Sequence, residues 1–176
     1  MRKLLLLSLF LATSLCAKAQ DFPRLQKFSI GESGFQAYLP SYPENLELTW
    51  SEDSSMVWAG DVEAGGLLFG LVCVQLAEPL EDDDDLQLGL LESYLDYLQE
   101  AFNVIESAGY GRGHTLESSP GAKGVLDYWV DSDGYTWKIK GWINTRYIAV
   151  LYIGGGEEEP NINGANMFLD GIRFPE

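Results

Sequence analysis

The sequence predicts an α+β fold: an antiparallel β-sheet of six or more strands flanked by helices. Three observations carry this. Val125 to Ile153 reads as three alternating runs separated by Asp133-Gly134 and Asn144-Thr145, and Asp-Gly between alternating runs is a strong hairpin signal because both turn residues reach positive φ. Leu91, Leu95, Leu98, Phe102 and Ile105 recur at helical spacing, which makes one broad apolar stripe that must lie on a sheet. Leu67 to Ala77 is apolar at nearly every position, as expected of a strand covered on both faces.

The elements follow in order. Met1 to Ala19 has the form of a secretory signal: Arg2 and Lys3, the apolar core Leu4 to Leu11, and the small-x-small site Ala17-Lys18-Ala19. Residues 20–176 are then expected to be a single exported domain, periplasmic or secreted, with no membrane insertion once the signal is cleaved. Lys27 to Ile30 and Phe35 to Leu39 are two short strands around Gly31 to Gly34. Pro40 and Pro43 stop the pairing. Leu46 to Trp50 alternates and is expected to be half-buried; Met56 to Val62 is a further strand. Asp82 to Asp85 stand where carboxylates cap a helix N-terminus and favour its dipole, and Gly109 suits its C-terminal end. A short segment carries Arg112, His114 and Leu116, and Ser118 to Gly124 is a loop. The meander follows. A two-residue turn at Asp133-Gly134 sets Val130 opposite Trp137, Tyr128 opposite Ile139, and Asp127 opposite Lys140. The same counting through Asn144-Thr145 pairs Ile139 with Val150 and Trp137 with Tyr152. Glu157 to Pro160 is a turn, Ala165 to Leu169 a second helix, and Ile172 to Phe174 a last strand.

Charge narrows the function. Removing residues 1–19 takes Arg2, Lys3 and Lys18 from the 11 basic residues, leaving 8 against 27 acidic ones and a formal charge of −19. Such a chain repels nucleic acid and anionic headgroups at long range. Cys73 is the one cysteine of residues 20–176, so no internal disulfide supports the domain, and no basic residue lies near it in sequence to make it a nucleophile.

No constellation of catalytic or metal-ligating type stands out. Four consecutive aspartates cannot all turn to one calcium ion. Asp131-Ser132-Asp133-Gly134 lacks the spacing of a calcium loop, and Gly109 to Gly113 follows a helix where a phosphate loop would precede one. No metal and no cofactor is therefore implied. His114 is the sole histidine; the enzyme alternative is a small hydrolase using it with Glu117 or Asp127.

The second face of the meander gathers Trp129, Lys138, Lys140, Trp142 and Tyr147, with Arg146 at its edge, on a strongly acidic chain. Two readings stand. A second layer covers this face, with Lys138 on Trp129 and Lys140 paired to Asp127; or the face is open, and its rings and cations bind a partner's acidic groups. The open reading makes the protein a non-catalytic binding or accessory module contacting a protein partner.

The order of elements, the segment F-Q-A-Y-L-P-S-Y-P (Phe35 to Pro43), and the closing runs R-Y-I-A-V-L-Y-I and A-N-M-F-L-D-G-I-R-F resemble the PsbP-like superfamily over roughly Phe35 to Phe174. This superfamily includes an extrinsic protein of photosystem II and a Ran-binding nuclear import factor. The resemblance implies an α/β/α sandwich and an accessory, protein-binding role, and it carries no catalytic residues.

Overall fold

The computed structural model describes residues 22–156 and 162–176; the signal-like segment and the turn expected at Glu157 to Pro160 lie outside them. Strands β1 (Gln26–Ser29) and β2 (Gln36–Leu39) form a separate hairpin. The main sheet is built from β3 (Glu47–Trp50), β4 (Met56–Ala64), β5 (Leu67–Gln75), β6 (Val104–Ser107), β7 (Gly111–Leu116), β8 (Ser119–Asp131), β9 (Thr136–Ile143) and β10 (Tyr147–Gly156). Its order is β3-β4-β5-β10-β9-β8-β6, and β7 also pairs with β8. Every pairing is antiparallel. Helices α1 (Asp84–Ala101) and α2 (Ile162–Leu169) lie on opposite faces.

Helix α1 begins as its residue types require. Asp83 is the N-cap and accepts from the Leu86 N–H at 2.9 Å, while Asp84 and Asp85 fill the first turn. Leu91, Leu95 and Leu98 are buried against Val125, Trp129, Ile139 and Val150. The helix ends earlier than the apolar stripe suggested. Phe102 caps it, Asn103 takes φ 52°, and the chain enters β6 at once. Asparagine tolerates this left-handed conformation, so Gly109 is not the cap and Ile105 sits on a strand, 64% exposed.

The opposite layer consists of α2, the β1–β2 hairpin and the C-terminal segment. Phe35, Phe69, Trp142, Leu151, Phe168 and Ile172 form its core. The strand expected at Ile172 to Phe174 is a single bridge, Gln36 to Arg173. Residues Ser119 to Gly124, expected to be a loop, are the first half of β8. Strand β3 is exposed at all four positions, not half-buried.

The β8–β9 hairpin differs from expectation by one residue, and the difference decides what faces what. The turn holds three residues, Ser132 to Gly134. Asp131 N–H donates to the Tyr135 carbonyl at 3.1 Å, Gly134 N–H to the Asp131 carbonyl at 3.0 Å, and Gly134 has φ 82°. This is a type I turn closed by a glycine bulge. Trp129 is therefore opposite Trp137, Tyr128 opposite Lys138, and Asp127 opposite Ile139. Because side chains alternate, every residue of β8 changes face: Val125, Asp127 and Trp129 turn toward α1, and Leu126, Tyr128 and Val130 turn away. At the β9–β10 turn the loop is Thr145-Arg146, with Asn144 N–H donating to the Tyr147 carbonyl. Tyr152 then pairs with Ile139 and Val150 with Gly141, a two-residue shift that leaves the faces as expected.

Candidate binding site

The six residues expected to share one face do not form one site. Trp129 lies under α1, its ring 5.8 Å from Phe102 and its indole N–H donating to Asp127 at 2.6 Å. Lys138, Lys140 and Trp142 lie on the other face beneath α2. Trp142 donates to the Leu169 carbonyl at 2.9 Å, Lys138 to the Asn166 side-chain oxygen at 2.9 Å, and Lys140 is ion-paired with Asp170 at 2.6 Å. Lys140 also sits 4.7 Å over the Trp142 ring. Tyr147 packs edge-on against Phe35 at 5.3 Å. Arg146 is exposed in the β9–β10 turn. The second layer thus covers most of this face, although neither lysine has the partner expected of it: Lys138 does not stack on Trp129, and Lys140 does not meet Asp127.

Among the described residues, the corner beyond α2 stays open. A pocket of about 270 Å³ lies where β6, β8 and β9 run side by side. Tyr128 and Val130 from β8, Lys138 and Thr136 from β9, and Glu106 from β6 line it. Strand pairing puts them together: Tyr128 is opposite Lys138, and Val130 is opposite both Thr136 and Glu106. The one-residue difference in the turn that removes Trp129 from this face delivers Tyr128 to it. Tyr128 was not among the expected site residues. The signal that could have found it is Asp131 at the first and Gly134 at the fourth position of a turn, the preferred residues of a type I turn.

Lys138 is the unusual group in this pocket. Its side chain is buried, 4% exposed overall, and its ammonium stands 5.5 Å from the Tyr128 ring centre. Its one hydrogen-bond acceptor among the described residues is the neutral Asn166 amide, and no carboxylate of those residues lies within ion-pair distance. Burying a charge without a counter-charge is costly. Lys140, two positions along the same strand, has its carboxylate in Asp170.

His114 faces the same layer from β7, beside Trp142 and across from Gly124. Partial burial, and then the positive Lys140, hold its pKa below the ordinary histidine value, with Asp170 opposing. Asp127 is on the opposite face of the sheet, where it accepts from Trp129 and from Ser107. Glu117 is exposed in the β7–β8 turn. His114 makes no hydrogen bond to a carboxylate among the described residues.

Asp83 is engaged as the helix cap, and Asp84 pairs with Lys123 at 2.9 Å. Among the described residues no group of three or more His, Cys, Asp or Glu side chains is placed to hold a metal ion. No described helix is long and apolar enough to cross a membrane. Comparison of the sequence with protein-family models and with curated proteins finds no match.

Proposed function

We propose that this chain is an exported accessory module that binds a protein partner without transforming it, and that the pocket between β6, β8 and β9 is its point of contact. The observation that carries the reading is the open pocket holding a buried lysine with no counter-charge among the described residues, on a chain whose net charge is −16. A protein this acidic repels most acidic surfaces at long range, so one inset cation beside exposed Tyr128 gives a local and selective contact. An open antiparallel sheet with one helix on each face is in keeping with the PsbP-like resemblance, whose members mostly act by binding other proteins. The signal-like N-terminus supports placement in a periplasm or outside the cell.

The test is site-specific photo-crosslinking in the native envelope fraction, with the crosslinker at position 128 and, as control, at position 97. Tyr97 is on α1, on the opposite side of the sheet, and is 63% exposed. The expected outcome is a discrete partner captured from position 128 and not from position 97. The same set of proteins from both positions would remove the pocket as the contact.

A further inference from the structure

The pocket also indicates the chemistry of what enters it. Resting on the reading of this corner as a contact site, we infer that it takes a single carboxylate carried on a small apolar body, with the carboxylate on the Lys138 ammonium. A lysine ammonium has three N–H donors, and Asn166 accepts from one of them. Among the described residues no acceptor is placed for the other two, which remain beside the pocket. An entering carboxylate would accept both and give this buried cation the counter-charge that no described residue supplies, in a setting where water screens the pair poorly.

The walls choose the rest of the ligand. Tyr128 and Val130 offer an aromatic ring and an aliphatic surface on neighbouring same-face positions of β8, which suits an apolar body. Glu106 stands at the β6 side. Its carboxylate, together with the net charge of −16, disfavours multiply charged anions such as a phosphate dianion while a monoanion in contact with Lys138 is still attracted. Lys140 is no competitor, because Asp170 already occupies it at 2.6 Å.

This ligand chemistry has two sources, a free organic acid and the terminal or side-chain carboxylate of a protein. The experiment separates them on the folded domain by two-dimensional ¹H–¹⁵N NMR, titrating 4-phenylbutyrate, its neutral amide, and the peptide acetyl-Ala-Ala-Phe with a free or amidated C-terminus. The expected result is that amide signals of residues 106–108, 128–130 and 136–138 shift on titration with a carboxylate, and that each neutral amide counterpart binds about tenfold more weakly or worse. Tighter binding of the free acid points to a small-molecule ligand; tighter binding of the peptide points to a protein's carboxylate. Lys138→Met should abolish the difference between acid and amide, and Lys140→Met should preserve it. The comparison of acid with amide on the unaltered protein does not depend on either variant folding. Equal shifts from acid and amide, or no shifts at millimolar probe, overturn the inference. Crosslinking of a partner from position 128 that millimolar carboxylate leaves undiminished would keep the contact site and remove its carboxylate chemistry.

Discussion

Replacing Gly124 by alanine tests how tightly the layer around α2 is built. A Cβ at position 124 would lie 2.4 Å from Cζ3 and 2.6 Å from Cε3 of Trp142, and 2.9 Å from the His114 Cβ, where carbon atoms normally stand about 3.5–4.0 Å apart. The Trp142 ring has no easy retreat. It is fully buried, its N–H is held by the Leu169 carbonyl, and Lys140 lies over its face. Overpacking of this kind costs about 1–3 kcal/mol. Gly121, three residues earlier on the same strand, is the internal control: a Cβ there meets nothing within 4 Å and its φ is not in the left-handed region. Gly121→Ala should stabilise by about 0.4–1 kcal/mol through the unfolded chain. At about 2–4 °C per kcal/mol for a domain of this size, the Gly124→Ala midpoint falls by roughly 2–12 °C while that of Gly121→Ala rises by roughly 1–4 °C. Thermal melts followed by near-ultraviolet circular dichroism, which reads the tryptophans, give both numbers. Two variants melting within a degree of each other would refute the packing of Trp142 across β8.

Two further outcomes follow from the polar groups. Burial opposes the charge of Asp131, but the Trp137 indole N–H and the backbone N–H groups of Tyr135, Asp133 and Gly134 outweigh it and hold its pKa below the ordinary carboxylate value. Its contribution to stability is therefore complete above about pH 4 and is lost as pH falls through the lowered folded value. Asp131→Asn sets an amide N–H₂ against one of these donors and should cost about 1–3 kcal/mol at pH 7; urea midpoints should show the gap to wild type narrowing toward pH 3, and a gap independent of pH would count against a charged Asp131. The sole histidine gives one NMR titration: the His114 midpoint should lie below 6.5, rise in Lys140→Met and fall in Asp170→Asn. Being lowered in the fold, it adds stability above pH 6.5 that is lost as pH falls toward the folded value. A midpoint unmoved by both substitutions would contradict the placement of these three groups.

The periodic parts of the chain were readable in advance and the parities were not. The start of α1 at the aspartate run, the doubly covered β5 and the meander all follow from local patterns whose physical cause acts within a few residues. The end of α1 was not, because Phe102, Val104 and Ile105 continue the apolar spacing while the αL conformation of Asn103 turns the backbone. Apolar spacing cannot distinguish the last helical turn from a strand that begins beside it. The face of Trp129 was misplaced for a similar reason. Asp133-Gly134 serves a two-residue or a three-residue turn equally well by composition, and Asp131 selects the longer one by accepting from the N–H groups of Asp133 and Tyr135. That one residue exchanged Trp129 for Tyr128 on the face of Lys138. The partners Asn166 and Asp170 are 28 and 30 residues from their lysines, and no local rule reaches so far.

The two edges of the sheet have a consequence for how this protein behaves when crowded. On one side β3 offers four residues, with Glu47 at its start. On the other, β6 and β7 share the length of β8 end to end, with register shifts on either side of Ile105 and Gly113 and a break at Ala108 to Tyr110. A strand arriving from another molecule finds four residues at β3 or β6, an interrupted six at β7, or the stretch of β4 from Gly60 to Ala64 beyond β3, where the Asp61 N–H is already taken by the Asn45 side chain. Such edges give little purchase for edge-to-edge growth. The open sheet of eight strands thus ends on both sides in short or interrupted strands without closing into a barrel.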